Sequence, residues 1–318
     1  MSKSVNDSGG TRPAVASTVR NGDVELAVFE QGPPDAPTLL LVHGWPDTHR
    51  LWEHVVPRLA EKFRVVSYDS RGAGASTVPT EVSAYRLETI AQDLFAVVDA
   101  VSPDSPVHVL AHDWGSVEAW EAVCEPGATR RIASFTSISG PNLDHLATWI
   151  RAGFAAPNPR RVWNRLTQAV ASAYTVLFQI PVLGPLPFRL GLDRMWPTFL
   201  RFFDGLDPAL VPTAPTLRAD MVNGLKLYRA NIRPRLGGPR ERRTDVPVQL
   251  ILNARDRAVR PVVYEDAERW APDLRRRVIG AGHWSPVSHS AEVAALTVAF
   301  IEDVLARDLD DDTAEASS

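Results

Sequence analysis

The sequence lacks several features that mark particular classes of protein. Its single cysteine, Cys124, excludes an internal disulfide framework and favours a reducing compartment such as the cytoplasm. It has no Gly-x-Gly-x-x-Gly segment and no P-loop, so nothing in it indicates a nucleotide cofactor. The net charge of -4 gives no general attraction to nucleic acid, and we expect no nucleic-acid partner.

Long uninterrupted apolar runs are also lacking. The first residues, MSKSVNDSGGTRPAVAS, have no apolar segment of the kind that forms a signal peptide. The most apolar stretch, residues 174–192, contains three prolines and Arg189, and it is at the lower edge of the ~20 residues that a membrane helix needs. We therefore expect a cytoplasmic protein without an integral membrane segment, in which this stretch is buried or lines a pocket.

Short β-branched runs alternate with amphipathic stretches over most of the chain. The predicted strands are Val24–Gln31, Thr38–Val42, Val65–Tyr68, Val107–Ala111, Ile132–Ile138, Val248–Leu252 and Arg276–Ile279. The predicted helices are Leu87–Val101, a segment around Val262–Trp270, and Ala291–Leu305. This rhythm predicts an α/β fold with a doubly wound, mostly parallel sheet.

Between residues 143 and 242 the rhythm stops, and the segment is rich in Trp, Phe, Arg and Pro. A structureless loop of this length is improbable in a compact domain, so we interpret it as a helical cap inserted into the sheet domain. The predicted domains are then a core of residues 19–142 and 243–307 and a cap of residues 143–242. Residues 1–18 and 308–318 are predicted to be disordered tails, because they contain too little apolar surface to bury.

The strongest chemical signal is the segment VHVLAHDWGSVEAW at residues 107–120. A strand ends near Ala111 and a helix begins near Gly115, and small residues surround the turn between them. This is the layout of a nucleophile elbow, with Asp113 in the position that serine usually occupies. The alternative interpretation is that Asp113 only caps the helix.

An elbow nucleophile requires an acid and a histidine later in the chain, in that order. Asp256 follows one predicted strand, and His283 follows the last one, so both lie at the carboxyl ends of strands where parallel sheets form their sites. Asp144 is an alternative acid. Three other histidines are interpreted as structural or surface residues: His54, His145 and His289.

The segment LVHGWPDTHRLW is predicted to supply an oxyanion hole. Gly44 allows the backbone to approach a ligand closely, and the N–H groups of Trp45 and Trp114 are predicted to donate to one oxyanion. His43 is predicted to hold this loop by hydrogen bonds. The segment Tyr68–Ser76 is interpreted as a scaffold turn and not as a phosphate loop.

Together these residues resemble the epoxide hydrolases of the α/β-hydrolase superfamily, over roughly residues 24–305. The motifs that carry the resemblance are His-Gly-Trp-Pro at 43–46, Asp-Ser-Arg-Gly-x-Gly-x-Ser at 69–76, His-Asp-Trp-Gly at 112–115, Asp256 and His283. Haloalkane dehalogenases share most of these motifs. The resemblance implies the α/β-hydrolase fold and an aspartate nucleophile.

The cap distinguishes these two groups. Epoxide hydrolases hold the epoxide oxygen with two cap tyrosines, one of them four residues before a Phe-Gln-x-Pro and the other in a Tyr-Arg-Asn-like segment. Tyr174 stands four residues before Phe178-Gln-Ile-Pro, and Tyr228 opens Tyr-Arg-Ala-Asn, which has one additional residue. Both tyrosines could instead be ordinary packing residues. A dehalogenase would use an Asn or Trp as halide donor, a role that Trp114 fits.

The resemblance implies a reaction in which Asp113 attacks an epoxide to form an ester. His283, oriented by Asp256, would activate water to release a vicinal diol. Trp45, Trp114 and Phe178 indicate an apolar substrate, and neither a metal nor an organic cofactor is implied. A haloalkane dehalogenase and a non-enzymatic ligand receptor are the alternatives, and a homodimer is possible.

Overall fold

The computed structural model describes residues 15–155 and 158–315, and an eight-stranded sheet forms the centre of the protein. The strands are β1 (Val15–Asn21), β2 (Val24–Gln31), β3 (Thr38–Val42), β4 (Arg64–Tyr68), β5 (Val107–His112), β6 (Ile132–Ile138), β7 (Val248–Asn253) and β8 (Leu274–Ile279). They lie in the order β1-β2-β4-β3-β5-β6-β7-β8. Pairs β1–β2 and β2–β4 are antiparallel and the other pairs are parallel, which confirms the predicted doubly wound, mostly parallel sheet.

Helices cover both faces of the sheet. They are α1 (Val56–Leu59), α2 (Leu87–Val101), α3 (Trp114–Val123), α4 (Leu143–Ala155), α5 (Pro159–Ala171), α6 (Tyr174–Phe178), α7 (Leu186–Arg189), α8 (Trp196–Asp204), α9 (Leu217–Gly237), α10 (Ser285–Ser288) and α11 (Ser290–Glu315). Residues of α2 and α3, such as Leu94 and Trp120, belong to the hydrophobic core on one face. Residues of α1 and α11, such as Leu59 and Ile301, belong to the core on the other face.

The two central strands position the functional site. Every residue of β3 and β5 is buried, as their uninterrupted apolar sequences require for strands covered on both faces. From β3 the chain first adds β4 on one side of β3 and then crosses over to add β5 on the other side. The strand order therefore reverses between β3 and β5. Parallel sheets form their ligand crevices at such a switch point. Val42 pairs with Ala111, and the loops that begin at His43 and Asp113 therefore emerge side by side.

The helical cap predicted between two strands is present between β6 and β7. It begins with α4 at Leu143, and α9 ends it at Gly237. Short 3-10 helices at Leu192–Met195 and Pro208–Leu210 connect its shorter segments. No helix in the described part of the chain is both long and apolar enough to cross a bilayer.

Three sequence expectations are corrected by the structure. Residues 15–18 are part of β1, because pairing with β2 over seven residues satisfies their backbone groups. Helix α11 continues to Glu315, since extending an existing helix adds one hydrogen bond for each residue fixed. The helix expected around 262–270 is replaced by two 3-10 helices, Pro261–Tyr264 and Ala267–Arg269. The rest of the predicted tails, residues 1–14 and 316–318, lies outside the described residues.

Candidate active site

Asp113 occupies the sharp turn between β5 and α3. Its φ of 51° and ψ of −124° are strained for a residue with a side chain, and such strain is concentrated at functional sites. The turn closes only because the residue two positions after Asp113, Gly115, has no side chain. A β-carbon on Gly115 would lie 2.4 Å from the carbonyl oxygens of both Val42 and His43. The local sequence thus dictates a turn that raises the Asp113 carboxylate above the carboxyl end of the sheet.

His283 lies between two carboxylates. Its Nδ1 is 2.9 Å from Oδ2 of Asp256, and its Nε2 is 3.6 Å from Oδ1 of Asp113. Asp256 is fixed in turn, because its Oδ1 accepts hydrogen bonds from the backbone N–H groups of Ala258 and Val259, each at 2.8 Å. The geometry is that of a nucleophile, a base and an orienting acid.

The charges of this trio depend on one another. Burial alone would lower the pKa of His283, but the carboxylates of Asp256 and Asp113 raise it well above its ordinary value. Burial alone would raise the pKa of Asp256, but His283 and the hydrogen bonds around the carboxylate lower it. Asp256 is therefore ionised at neutral pH, and the protonation state of His283 depends on the charge of Asp113.

The second oxygen of Asp113 accepts a hydrogen bond from the backbone. The N–H of Trp45 donates to Oδ2 of Asp113 at 2.9 Å. Gly44 permits this approach, since a β-carbon there would lie 2.5 Å from Cβ of Asp113 and 2.7 Å from the backbone nitrogen of Trp114. Of the two backbone nitrogens predicted for the oxyanion hole, that of Trp45 thus donates to the carboxylate. That of Trp114 lies beside Gly44 at the same turn.

The loop that carries Trp45 is held by the bonds expected for His43. The N–H of Ser70 donates to Nε2 of His43 at 3.0 Å, so Nδ1 of the neutral ring donates to the carbonyl of Gly44 at 2.9 Å. Burial lowers the pKa of His43, which keeps the ring neutral. The indole N–H of Trp45 donates to the carbonyl of Met221 in α9 at 3.1 Å, which connects this loop to the cap.

A cavity of about 610 Å³ lies between the cap and the sheet, directly over Asp113 and His283. Its walls are almost entirely apolar and aromatic. The other lining residues are Trp45, Tyr174, Phe178, Phe188, Leu192, Met195, Trp196, Thr198, Phe199, Phe202, Phe203, Met221, Tyr228, Ala258 and Trp284. A cavity of this size and lining suits an apolar small molecule with a few polar contacts.

Tyr174 begins α6 and Tyr228 lies in α9, and both line this cavity. Their rings are 6.2 Å apart, and Phe178 contacts both of them. Burial is the main cause that raises the pKa of both tyrosines above its ordinary value, and the negative charge of Asp113 raises it further. The hydroxyls therefore remain protonated and can donate hydrogen bonds to a ligand above Asp113.

Sequence reasoning missed two further carboxylates at the site. Asp204, at the end of cap helix α8, accepts hydrogen bonds from the backbone N–H groups of His283 at 2.5 Å and Trp284 at 2.8 Å. Asp47 accepts one from the indole of Trp284 at 2.9 Å, and burial raises the pKa of Asp47 to about 7. Asp47 directly follows the His-Gly-Trp-Pro motif, and this position is the sequence signal that could have suggested it. No motif marks Asp204.

The other candidates of the sequence analysis lie elsewhere. Asp144 bonds to Arg240, 2.9 Å away, and is not the partner of His283. His145 stacks on Trp270, 4.7 Å away, and His54 bonds to the carbonyl of Leu210. His289 bonds to Ser288 at the start of α11. Among the described residues, no group of three or more His, Cys, Asp or Glu side chains could hold a metal ion.

Comparison with known proteins supports the family assignment. The family described as α/β hydrolase fold matches residues 37–290. The chain is 45% identical over 285 residues to the protein named probable oxidoreductase EphD of Mycobacterium tuberculosis, a match that covers 88% of this chain and 48% of that protein. It is 25% identical to bifunctional epoxide hydrolase 2 of Sus scrofa, over 88% of this chain and 53% of the relative. The chain thus spans about half the length of these curated relatives.

Solved structures give the same fold. The epoxide hydrolase VrEH1 from Vigna radiata superposes with a TM-score of 0.71 at 20% identity, over 93% of this chain and 99% of that one. The Bacillus megaterium epoxide hydrolase, solved with an inhibitor, superposes with a TM-score of 0.68 at 20% identity, over 90% of this chain and all of the other. The expected α/β-hydrolase fold is therefore confirmed.

Proposed function

Because the chain belongs to the α/β-hydrolase family, we propose that it is an epoxide hydrolase that converts an apolar epoxide and water into a vicinal diol. The observation that carries this proposal is the pairing of a carboxylate at the elbow with two protonated tyrosines in the same cavity. The names of the relatives and structural neighbours support it. The reacting groups are Asp113, His283, Asp256, Tyr174 and Tyr228.

The choice of carboxylate follows from the bond that is attacked. An epoxide carbon is saturated, so a serine nucleophile would form an ether that water does not readily cleave. A carboxylate forms an ester, whose carbonyl carbon water can attack. Covalent catalysis thus divides one difficult displacement into two easier steps.

In the first step, Oδ1 of Asp113 forms a bond to one ring carbon, and the bond from that carbon to the ring oxygen breaks. Tyr174 and Tyr228 donate hydrogen bonds to the ring oxygen, and one of them supplies its proton. Oδ2 remains on the N–H of Trp45 and becomes the carbonyl oxygen of the ester. The apolar walls of the cavity hold the rest of the substrate.

In the second step, His283 takes a proton from water and the water oxygen attacks Cγ of Asp113. Esterification has removed the negative charge of Asp113, one of the two charges that raise the pKa of His283, and the ring is then able to act as a base. The tetrahedral oxyanion forms on Oδ2, facing the N–H groups of Trp45 and Trp114. Its collapse breaks the bond from Cγ to the alkyl oxygen, which takes the proton held by His283, and the diol is released. The proton left on the carboxyl group of Asp113 returns through water to the tyrosine that lost its own, which restores the starting state.

This scheme makes a specific prediction about oxygen atoms. The diol carries away Oδ1 of Asp113, and the water oxygen replaces it in the protein. One turnover in H₂¹⁸O with enzyme in excess is expected to give unlabelled diol and a peptide containing Asp113 that is 2 Da heavier. Label in the diol after the first turnover would show direct attack by water and would contradict the ester mechanism.

The His283→Ala variant is expected to accumulate the ester on Asp113, because water is then not activated. Intact-protein mass spectrometry after incubation with epoxide should show one added substrate mass, and Asp113→Ala should show none. His289→Ala is the matched control, since that histidine lies at the start of α11 and is expected to turn over like the wild type.

A haloalkane dehalogenase is the second candidate, because it would use the same aspartate. The indole N–H of Trp45 already donates to the carbonyl of Met221, and Trp114 packs edge-on against Tyr228 at 4.8 Å. These contacts favour tyrosine donors over a halide site. Assays of diol and halide against epoxides and haloalkanes distinguish the two, and no turnover of either class would favour a ligand receptor.

A further inference from the structure

The outer side of the cap combines exposed apolar side chains with arginines. Leu190 and Phe202 are 78% and 77% exposed, and several neighbours are at least half exposed. We name this surface the cap face. It consists of Val176, Val182, Leu183, Leu190, Met195 and Phe202 together with Arg189, Arg194 and Arg201. Exposed apolar surface of this extent is unusual in a soluble monomer and marks an interaction site.

The segments of the cap face adjoin one another. Helices α6 and α7 both pack on α9, α7 contacts the 3-10 helix Leu192–Met195, and that helix contacts α8. Four apolar residues that line the cavity are themselves exposed on this side: Leu192, Met195, Phe199 and Phe202. The cavity therefore opens at the cap face.

The charge of this segment is opposite to that of the whole chain. Residues 176–202, which span the cap face, contain three arginines and one acidic residue, whereas the net charge of the chain is -4. The acidic residue, Asp193, already pairs with Arg218. Within the described part of the chain, Arg189, Arg194 and Arg201 take part in no ion pair, so their charges remain available to an external partner.

We propose that the cap face docks on the surface of an anionic lipid bilayer. Apolar side chains interspersed with arginines match the boundary between acyl chains and negatively charged headgroups. A second copy of the chain is a poorer occupant, because a symmetric interface would place two sets of unpaired arginines against each other. Docking also positions the opening of the cavity at the membrane, where an apolar ligand dissolved in the bilayer enters without crossing water.

The test is flotation of the purified full chain with vesicles, which measures no turnover and so does not depend on the proposed reaction. Vesicles of phosphatidylcholine alone are compared with vesicles containing about 30% phosphatidylglycerol. We expect the chain to bind the anionic vesicles and to be released by high salt, because the attraction of the arginines is screened. Absence of binding to the anionic vesicles would overturn the proposal.

Two triple variants test the two components of the surface. Arg189→Gln/Arg194→Gln/Arg201→Gln removes the charges, and Val176→Ser/Val182→Ser/Leu190→Ser removes apolar side chains that do not line the cavity. Each is expected to reduce the partition coefficient on anionic vesicles roughly 10- to 100-fold. Undiminished binding by both variants would place the contact elsewhere and overturn the proposal.

Matched controls place comparable changes on exposed residues outside the cap. Arg58→Gln/Arg130→Gln/Arg277→Gln changes three exposed arginines, and Val78→Ser/Val82→Ser/Val278→Ser changes three exposed valines. Both are expected to bind vesicles like the wild type, and equal losses in controls and cap variants would overturn the proposal. Sedimentation of the wild type and of the apolar cap variant tests whether the cap face instead binds a second copy of the chain. A dimer in the wild type and a monomer in the variant would identify the cap face as a contact between copies and would overturn the proposal.

Discussion

At the scale of single residues, the site depends on groups whose protonation is set by burial and by neighbouring charges. Asp113 has one oxygen near His283 and the other on a backbone N–H, so the two oxygens have different environments. The tyrosines above it stay protonated because burial and the charge of Asp113 disfavour their anions. Each of these features can be tested by a single substitution.

Replacing Tyr174 or Tyr228 by Phe is expected to slow ring opening by about 10²-fold, because one donor to the developing alkoxide is lost. Ester hydrolysis should be almost unchanged, since the tyrosines contact the oxygen that has already been protonated. Rapid-quench measurement of ester formation and decay separates the two steps. Equal slowing of both steps would contradict the assigned role.

The matched control for the tyrosine variants is Tyr85→Phe. Tyr85 is buried near α2, its hydroxyl bonds to the carbonyl of Pro79, and it does not line the cavity. We expect this variant to keep both rates within a few-fold of the wild type. The comparison distinguishes a loss of the hydroxyl at the site from a general loss of packing.

Asp47 gives a prediction about stability and pH. Its pKa is raised to about 7 by burial, so the folded state binds a proton that the unfolded state releases near pH 4. The contribution of this group to stability is therefore fully present below about pH 4 and is lost as the pH rises to about 7. Its contribution to the slope of the unfolding free energy in this range is at most roughly −1.4 kcal/mol per pH unit.

The Asp47→Asn variant is expected to remove this contribution, while its amide oxygen can still accept the bond from Trp284. Urea unfolding at pH 5, 6, 7 and 8 measures the difference. The variant should gain stability relative to the wild type as the pH rises towards 7, and a constant difference over this range would show that Asp47 does not titrate there.

At the scale of elements, the cap and the core share the loop that carries His283. Asp204 at the end of α8 accepts the backbone N–H groups of both His283 and Trp284. A β-carbon at Gly282 would lie 1.9 Å from Oδ1 of Asp204, so the loop is shaped to admit this carboxylate. A cap helix thereby fixes the backbone from which the histidine projects.

Replacing Asp204 by Ala is expected to lower kcat about 10- to 100-fold with a smaller effect on KM, because His283 loses its support but the cavity remains. Ester hydrolysis should slow more than ring opening, since His283 acts in the second step. Asp204→Asn keeps one acceptor oxygen, and its kcat should lie between those of the wild type and Asp204→Ala. Asp207→Ala, a nearby exposed aspartate that bonds to the N–H of Ala209, is the control and should leave kcat unchanged.

At the scale of the whole molecule, the cavity exists only because the cap covers the sheet. The core contributes Asp113, His283 and Trp284, and the cap contributes the tyrosines and most of the aromatic wall. Its volume of about 610 Å³ leaves room for a large substituent beside the ring of the proposed epoxide substrate. The apolar walls favour long alkyl or aryl substituents.

A series of terminal epoxyalkanes of increasing length tests this conclusion. Each buried CH₂ contributes about 0.8 kcal/mol, so kcat/KM is expected to rise roughly 3- to 4-fold for each carbon until the cavity is filled. An epoxide of equal length with a terminal hydroxyl should gain less. If kcat/KM does not change with chain length, the cavity does not hold the alkyl group.

Much of this protein is determined by the sequence alone. Continuous apolar runs predict strands buried on both faces, and the glycines around Asp113 and Trp45 are required by atoms within a few ångströms. Such patterns depend on residues that are close in the chain. They were therefore sufficient to predict the sheet, the helical cap and the residues that line the cavity. The trio of Asp113, Asp256 and His283 is brought together because parallel strands end at the same edge of the sheet.

Only the tertiary structure decided the rest. β1 is ordered by its pairing with β2, a contact that its own short sequence does not predict. Asp204 meets the amides of His283 and Trp284 from 79 and 80 positions away in the chain, and neither segment has a motif that announces the other. The charge states of Asp47 and His283 likewise depend on burial and on distant neighbours. Sequence patterns record local geometry and hydrophobic period, whereas these properties arise from which surfaces meet when the chain is packed.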